Sequence, residues 1–315
     1  KRHPSGAPVV WLVTGGVTIA GSVSLNGENG YGSANTRATT GGPGGFSGGL
    51  GAYAANPGSG GFGPGGANST YDDSASYSTK GAGDVPGVIY GNARVLPLIG
   101  GSGGSGQSNH ARQGGAGGGA ILIVSSQELN ITGSVNAIGG AKHYQAGGGS
   151  GGAVRLIAET ISGYGHINAY SANGGGKGRI RLETVNFDGL RTNPTVPLNE
   201  PDEPIQLWPP AAAPSVRIVT VGAQTVPLEP IGGAYPTGID FQLDNETSSD
   251  IVLETKNVPS DAVVKVRIVP LHGGPRTETA LFSTGTDALS TWVVSNVALP
   301  VGPFVVQVHS INPAL

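Results

Sequence analysis

The feature that most constrains this chain is a unit that recurs between residues 114 and 188. Each pass has a run of glycines, a short apolar segment (residues 120–124, 153–157 and 179–182) and, in the first two passes, a second segment (129–137 and 161–169). An earlier copy covers residues 9–13 and 17–27. The second segments align with one another at three positions. The first position holds an apolar residue, the second a glycine and the third a β-branched residue: Val17, Leu129 and Ile161; Gly21, Gly133 and Gly165; Val23, Val135 and Ile167. Such self-similarity with variable spacers predicts a Gly-rich β-solenoid, whose stacked coils share one core.

Glycine is concentrated in the same part of the chain, where residues 1–190 hold 49 of the 57 glycines. Within a long insertion, residues 28–113, glycine recurs at every third position, as at residues 42, 45, 48 and 51, at 60, 63 and 66, and at 100, 103 and 106. A three-residue period fits helices of the polyproline II type, which lack internal hydrogen bonds and can bond to neighbours instead. The alternative is a flexible linker. The period favours packed polyglycine segments.

A different composition begins near residue 190. Residues 191–214 are rich in proline and predict a stiff connector, on which Trp208 is expected to dock onto one domain. Residues 215–315 contain apolar segments with proline and glycine turns between them, at 216–219, 238–243, 251–255, 263–269, 291–294 and 304–309. This spacing predicts an antiparallel β-sandwich of immunoglobulin-like architecture. The expected fold is therefore all-β, with a solenoid in 1–190 and a sandwich in 215–315.

Composition argues against several classes of protein. Only 12% of residues are charged, the net charge is −3, and no basic stripe is present, so we expect no nucleic-acid partner. The sequence has no run of 18 apolar residues, which argues against a membrane span. Cys and Met are absent, which excludes disulfides and thiolate metal sites and leaves little for oxidants to attack. The start at Lys1 fits a processed, exported protein, or a trimmed chain.

Residues that could carry catalysis are scattered. Asp72 and Asp73 are the only adjacent acidic pair in the predicted solenoid, and a solvated turn explains them better than a catalytic site does. The six histidines show no metal-ligand spacing, and residues 101–106 match a phosphate loop only superficially because no lysine follows. We therefore predict no catalytic residues, no metal and no cofactor, and expect the protein not to be an enzyme.

Tyrosines offer a candidate recognition surface in the insertion. Tyr53, Tyr71 and Tyr77 lie among Asn, Ser and Gly, a composition found on adaptable binding surfaces and able to stack on sugars. The same side chains could equally fill gaps between the Gly-rich segments. The sequence leaves both roles open.

Residues 148–159 and 161–175 resemble glycine-rich solenoid segments of large secreted bacterial surface proteins. The runs with glycine at every third position are similar to the polyglycine-type bundles of phage tail-tip adhesins. The resemblance covers about 60% of the chain by residues 1–190, brings no catalytic residues with it, and implies a secreted structural or adhesive role. The C-terminal module departs from the phage pattern and resembles sandwich modules of bacterial exoproteins.

These observations predict an extracellular or cell-surface structural protein, the self-assembling subunit of a fibre, filament or layer. The alternative is a carbohydrate-binding adhesin or phage tail component, with surface glycans as partners. Head-to-tail assembly would use two apolar segments as contacts: Val9, Val10, Trp11, Leu12 and Val13 at one end, and Phe304 and Val306 at the other. The competing interpretation is that residues 9–13 are simply the first strand of their own sheet.

Overall fold

The computed structural model describes residues 6–32, 37–52, 57–108, 110–202, 204–228, 230, 239–243 and 248–311. These residues form strands, turns and irregular segments and contain no helix, so the predicted all-β class is confirmed. The chain divides into two compact units, a larger one made mainly of residues 1–208 and a smaller one made mainly of residues 209–315.

The recurring unit of the larger part forms layers of short strands. In chain order the strands are β1 (Val9–Val13), β2 (Val17–Ile19), β3 (Ser22–Ser24), β4 (Ala120–Ser125), β5 (Glu128–Ile131), β6 (Ser134–Asn136), β7 (Ala153–Ile157), β8 (Thr160–Ser162), β9 (His166–Asn168), β10 (Arg179–Glu183), β11 (Asn186–Phe187), β12 (Arg191–Asn193) and β13 (Leu198–Asn199). Equivalent strands pair in parallel and give three sheets, ordered β1-β4-β7-β10-β13, β2-β5-β8-β11 and β3-β6-β9-β12.

The predicted alignment of the copies is confirmed by the strand register. Leu129 pairs with Val17 on one side and Ile161 on the other, and Val135 pairs in the same way with Val23 and Ile167. The side chains of the inner layers lie inside a core that all three sheets share, and Val17 and Val23 pack against it. One expectation was too simple, because residues 129–137 are two strands rather than one. The chain bends at Gly133, where an added Cβ would lie 1.9 Å from the carbonyl oxygen of Gly21, so only glycine fits between the stacked bends.

The described part of the insertion is packed, as its glycine period predicted. Its backbone groups bond to other Gly-rich segments, for example Gly42 N–H to Gly117 O at 3.0 Å and Gly101 N–H to Gly118 O at 2.7 Å. Gly118 N–H in turn donates to Ser150 O, so the network continues from one segment to the next. Side chains are excluded because the backbones nearly touch: an added Cβ at Gly103 would lie 1.9 Å from Ser47 O. Hydrogen bonds between segments therefore replace those of regular secondary structure.

The predicted connector is partly folded. β12 and β13, which lie in it, extend two of the parallel sheets of the larger unit by pairing with β9 and β10. Trp208 is 56% exposed, so the expectation that it docks onto a domain was wrong for most of its indole surface. Proline spacing correctly indicates an extended chain but does not show that such a chain can add a strand to a sheet edge.

The smaller unit is an antiparallel sheet. Its strands are β14 (Ser215–Val221), β15 (Gln224–Thr225), β16 (Ser248–Lys256), β17 (Val263–Pro270), β18 (Arg276–Thr286), β19 (Leu289–Ala298) and β20 (Phe304–Ile311), in the order β15-β14-β16-β19-β18-β17-β20. The sequence predicted two packed sheets, whereas the strands form one. β18 changes partner along its length, pairing through Ala280 with β17 and from Leu281 with β19, and so curls the sheet. The sequence predicted a strand at 238–243, but residues 239–243 form no strand. Residue 238 lies outside the described residues.

His309 makes the smaller unit sensitive to acid. Burial, with Lys265 and Arg267 nearby, lowers the pKa of the His309 imidazole below its ordinary value, and Lys265 is its pairing partner across β17 and β20. Below a pH of about 6.5 the imidazole therefore binds a proton more readily in the unfolded chain than in the folded chain. As the pH falls through this range, the free energy of unfolding decreases by up to about 1.4 kcal/mol per pH unit because of this group. Calorimetry from pH 8 to pH 5 should show a smaller loss for His309→Gln than for the wild type. An equal loss in both chains would contradict this assignment, and His166→Gln, at an exposed position, is the control.

Candidate assembly surface

The first layer, β1 to β3, lies at one end of the stack. Each of its strands pairs with the next layer only, so its other edge has no strand partner among the described residues. Trp11 pairs with Ile123, a fully buried core residue, and residues in register point to the same face of a sheet. Trp11 is nevertheless 38% exposed, because no described layer covers it from outside. The apolar interior of the stack is therefore partly open here.

A shallow groove of about 450 Å³ runs along this end. It is lined by Val9, Trp11, residues 23–28 and residues 40–43. Val9, Val17 and Val23, one from each strand of the layer, pack against the shared core and are only partly buried. We call the surface formed by Val9, Trp11, Val13, Val17 and Val23 the N-terminal end face.

An ion pair lies at the rim of this groove. The Arg37 guanidinium donates to both carboxylate oxygens of Glu28, at 2.9 and 2.5 Å, and also to the Thr40 hydroxyl at 3.0 Å. Burial alone would raise the pKa of the Glu28 carboxyl, but bonds from Arg37 and from the Thr40 amide lower it overall. The carboxylate is therefore charged and engaged, which gives it a structural role at the rim of a groove whose lining mixes apolar and polar residues.

The opposite end of the stack also has partly uncovered apolar side chains. β11, β12 and β13 each have a single strand partner among the described residues. Phe187 on β11 and Val196 before β13 are partly buried and pack against the shared core, and Leu198 is exposed. Both ends thus combine sheet edges with incompletely covered apolar side chains, which is the arrangement that permits strand addition.

The predicted assembly residues fall into two groups. Residues 9–13 are the first strand of their own sheet, as the competing interpretation held, since β1 pairs with β4 from Val9 to Val13. Leu12 is 55% exposed and, like Val10, points away from the shared core. Phe304 and Val306 pair with Pro270 and Ile268 and pack half-buried against the core of the smaller unit. Their part in assembly stays a prediction.

The two described tyrosines of the candidate recognition surface differ in exposure. Tyr71 is exposed, while Tyr53 lies outside the described residues. Tyr77 is 1% exposed, its ring stacks on Tyr90 at 4.3 Å, and its hydroxyl donates to Ile99 O at 2.7 Å. Burial raises its pKa, so it stays neutral. Packing, the other role that the sequence allowed, applies to Tyr77, and the prediction that it belongs to a recognition surface was wrong.

The adjacent acidic residues Asp72 and Asp73 are engaged in structural bonds rather than in a solvated turn. Asp72 accepts from the Lys142 ammonium at 2.8 Å, and Asp73 is buried and accepts from the Val85 amide at 2.9 Å. The described residues contain no cluster of three or more His, Cys, Asp or Glu side chains arranged to hold a metal ion. Nor does any described segment form a helix with the length and apolar character needed to cross a membrane.

The sequence reasoning missed a buried charged cluster. Arg155 on β7 and Arg181 on β10 are paired in register, and both donate from Nε to the same oxygen of Glu183, each at 2.7 Å. Arg155 and Glu183 are almost completely buried. Two signals could have found the cluster: an arginine in the middle of the apolar strand 153–157, and the alternation of charged and apolar residues in 179–183.

No family model, curated protein or solved structure matches this chain. The resemblance to secreted surface proteins is therefore still an expectation from the sequence.

Proposed function

We propose that this chain is an extracellular structural protein whose copies assemble end to end into a fibre, filament or layer. The observation that carries the proposal is that the three parallel sheets have, among the described residues, an edge strand at each end of the stack, beside a partly open apolar core. Monomeric proteins usually cap or charge such edges. A second copy placed on the N-terminal end face would continue the ladders and cover Trp11.

The proposal includes the finer description of the fold. We infer that the larger unit is a β-solenoid and that its Gly-rich segments run as polyproline II-type strands. The hydrogen bonds between segments and the close backbone contacts at Gly42, Gly103 and Gly118 support this inference. The absence of Cys and Met and the low charge suit a durable exported material. The proposal assigns no catalytic activity to the chain.

Carbohydrate binding stays a prediction from the sequence. Of its three proposed residues, Tyr77 is buried and Tyr71 is exposed, and Tyr53 lies outside the described residues.

Replacing Trp11 with lysine is expected to weaken assembly. Covering the exposed part of one indole contributes about 2 kcal/mol, so the concentration needed for assembly should rise about tenfold or more. The lysine charge at a sheet edge opposes strand addition as well. Sedimentation velocity over a concentration series measures the effect, with circular dichroism to show that the fold is retained. Tyr164→Lys, which places the same charge at an exposed position in the third layer, should leave assembly unchanged. Equal assembly of the wild type and both variants would contradict the proposed contact.

A further inference from the structure

The buried cluster around Arg155 has hydrogen-bonding groups without partners. Arg155 is 1% exposed, and among the described residues its side chain makes one hydrogen bond, from Nε to Glu183 Oε1. Its Nη1 and Nη2 atoms are buried and have no hydrogen-bond partner among the described residues. Glu183 Oε2 is also buried and also has no hydrogen-bond partner among the described residues. A guanidinium has five N–H donors, so four of those on Arg155 have no acceptor among the described residues. Unpaired buried donors lower the free energy of unfolding.

The cluster also has unequal charges. Arg155 and Arg181 contribute two positive charges and Glu183 one negative charge, and the side chains of all three are buried or nearly so. Register places the two arginines side by side on neighbouring strands, where like charges repel. A buried charge without compensation is strongly unfavourable. Water could accept the free N–H bonds but could not balance the charge.

The surrounding fold does not require this arginine. In the preceding layer the same register position holds Leu122, which is also buried. The side chain at this position lies on the face of the sheet opposite the shared core, as do Ala120 and Ala153, which pack against Tyr77 and Val95 of the insertion. An apolar residue is therefore compatible with the site, and the charge of Arg155 calls for a ligand.

We propose that the Nη1 and Nη2 groups of Arg155 bind a small monovalent anion of the chloride class on the outer face of the first sheet. The anion accepts one N–H from each Nη atom and neutralises the excess charge of the Arg155–Glu183–Arg181 cluster. A water molecule beside it donates to Glu183 Oε2. The site adds an ion-dependent component to the stability of the larger unit and is independent of the proposed assembly.

Bromide and chloride are the probes for this site. Crystals of the full chain grown in sodium bromide should give an anomalous peak within about 3.5 Å of the Arg155 Nη atoms, the range of hydrogen-bond contacts. Calorimetry should show a thermal midpoint roughly 3 to 6 °C higher in chloride, at a tenfold excess over its dissociation constant, than in sodium gluconate at equal ionic strength. Gluconate is the control because its anion is too large for an enclosed site.

Two variants separate binding from general salt effects. Arg155→Leu copies the residue of the preceding layer and leaves Arg181 and Glu183 as a neutral pair, so the difference between chloride and gluconate should disappear. Arg191→Leu, at an exposed position, should keep the full difference. A bromide peak with equal midpoints in the two salts would mean an adventitious ion and overturn the proposal. So would the absence of a peak, or a chloride effect that persists in Arg155→Leu.

Discussion

Replacing Gly147 with alanine is expected to destabilise the larger unit by at least about 3 kcal/mol. The added Cβ would lie 1.7 Å from Asp73 O and 2.6 Å from Ser105 N, and both of these are backbone atoms that cannot rotate away. Gly147 also donates to Ser105 O and accepts from Gly115 N–H, each at 2.8 Å, so any movement that relieves the clash weakens these bonds. Denaturant unfolding below the assembly concentration measures the loss.

Gly15→Ala is the matched control for this substitution. Nothing lies within 4 Å of a Cβ added there, and its φ is not in the left-handed region, so stability should stay within about 0.5 kcal/mol of the wild type. If Gly147→Ala and Gly15→Ala behave alike, the insertion does not pack through its glycine backbones, and the interpretation of the glycine-rich segments is wrong.

Glu183→Gln is expected to cost about 3 to 5 kcal/mol, the usual loss when one partner of a buried ion pair is removed. Glutamine keeps the shape of the side chain and one acceptor oxygen, so the change tests charge rather than packing. It leaves Arg155 and Arg181 next to each other without a carboxylate between them. Thermal and denaturant unfolding in one fixed buffer measure the effect.

Glu254→Gln supplies the comparison for the buried pair. Arg217 donates to both oxygens of Glu254, at 2.9 and 3.2 Å, so this glutamate is also bonded directly to an arginine, but both side chains are substantially exposed. Exposed ion pairs contribute little because water and salt screen them, and the loss should be far smaller than at Glu183. Equal losses at the two positions would show that the burial of Glu183 is not what makes its charge important.

The sequence predicts the parallel ladders well because their register depends on a local pattern. A core that buries one face of each strand requires Val17, Leu129 and Ile161 to align, and a shift of one residue would move these side chains out of the core. The glycine period is equally direct, since a position with no room for a Cβ can hold only glycine. Both features are visible in single residues at fixed spacings.

The remaining features depend on contacts between distant residues. The partner change at Ala280 and Leu281 that curls the smaller sheet leaves no mark in the local pattern of β18. Tyr77 is buried because its ring stacks on Tyr90 and its hydroxyl donates to the carbonyl of Ile99. Neither contact could be foreseen from a Tyr among polar residues. At the N-terminal end face, the apolar pattern of β1 predicted a strand, and the order of the sheets shows that its outer edge has no strand partner among the described residues.

Electron cryo-microscopy of the purified chain at rising concentration tests the central claim most directly. If copies add end to end, the strands of every copy lie across the filament, and the images should show filaments with a repeat of about 4.8 Å along the axis, the spacing of neighbouring strands. Trp11→Lys should need a higher concentration to form them. A chain that stays a monodisperse monomer at high concentration, or filaments that lack this axial repeat, would contradict the account.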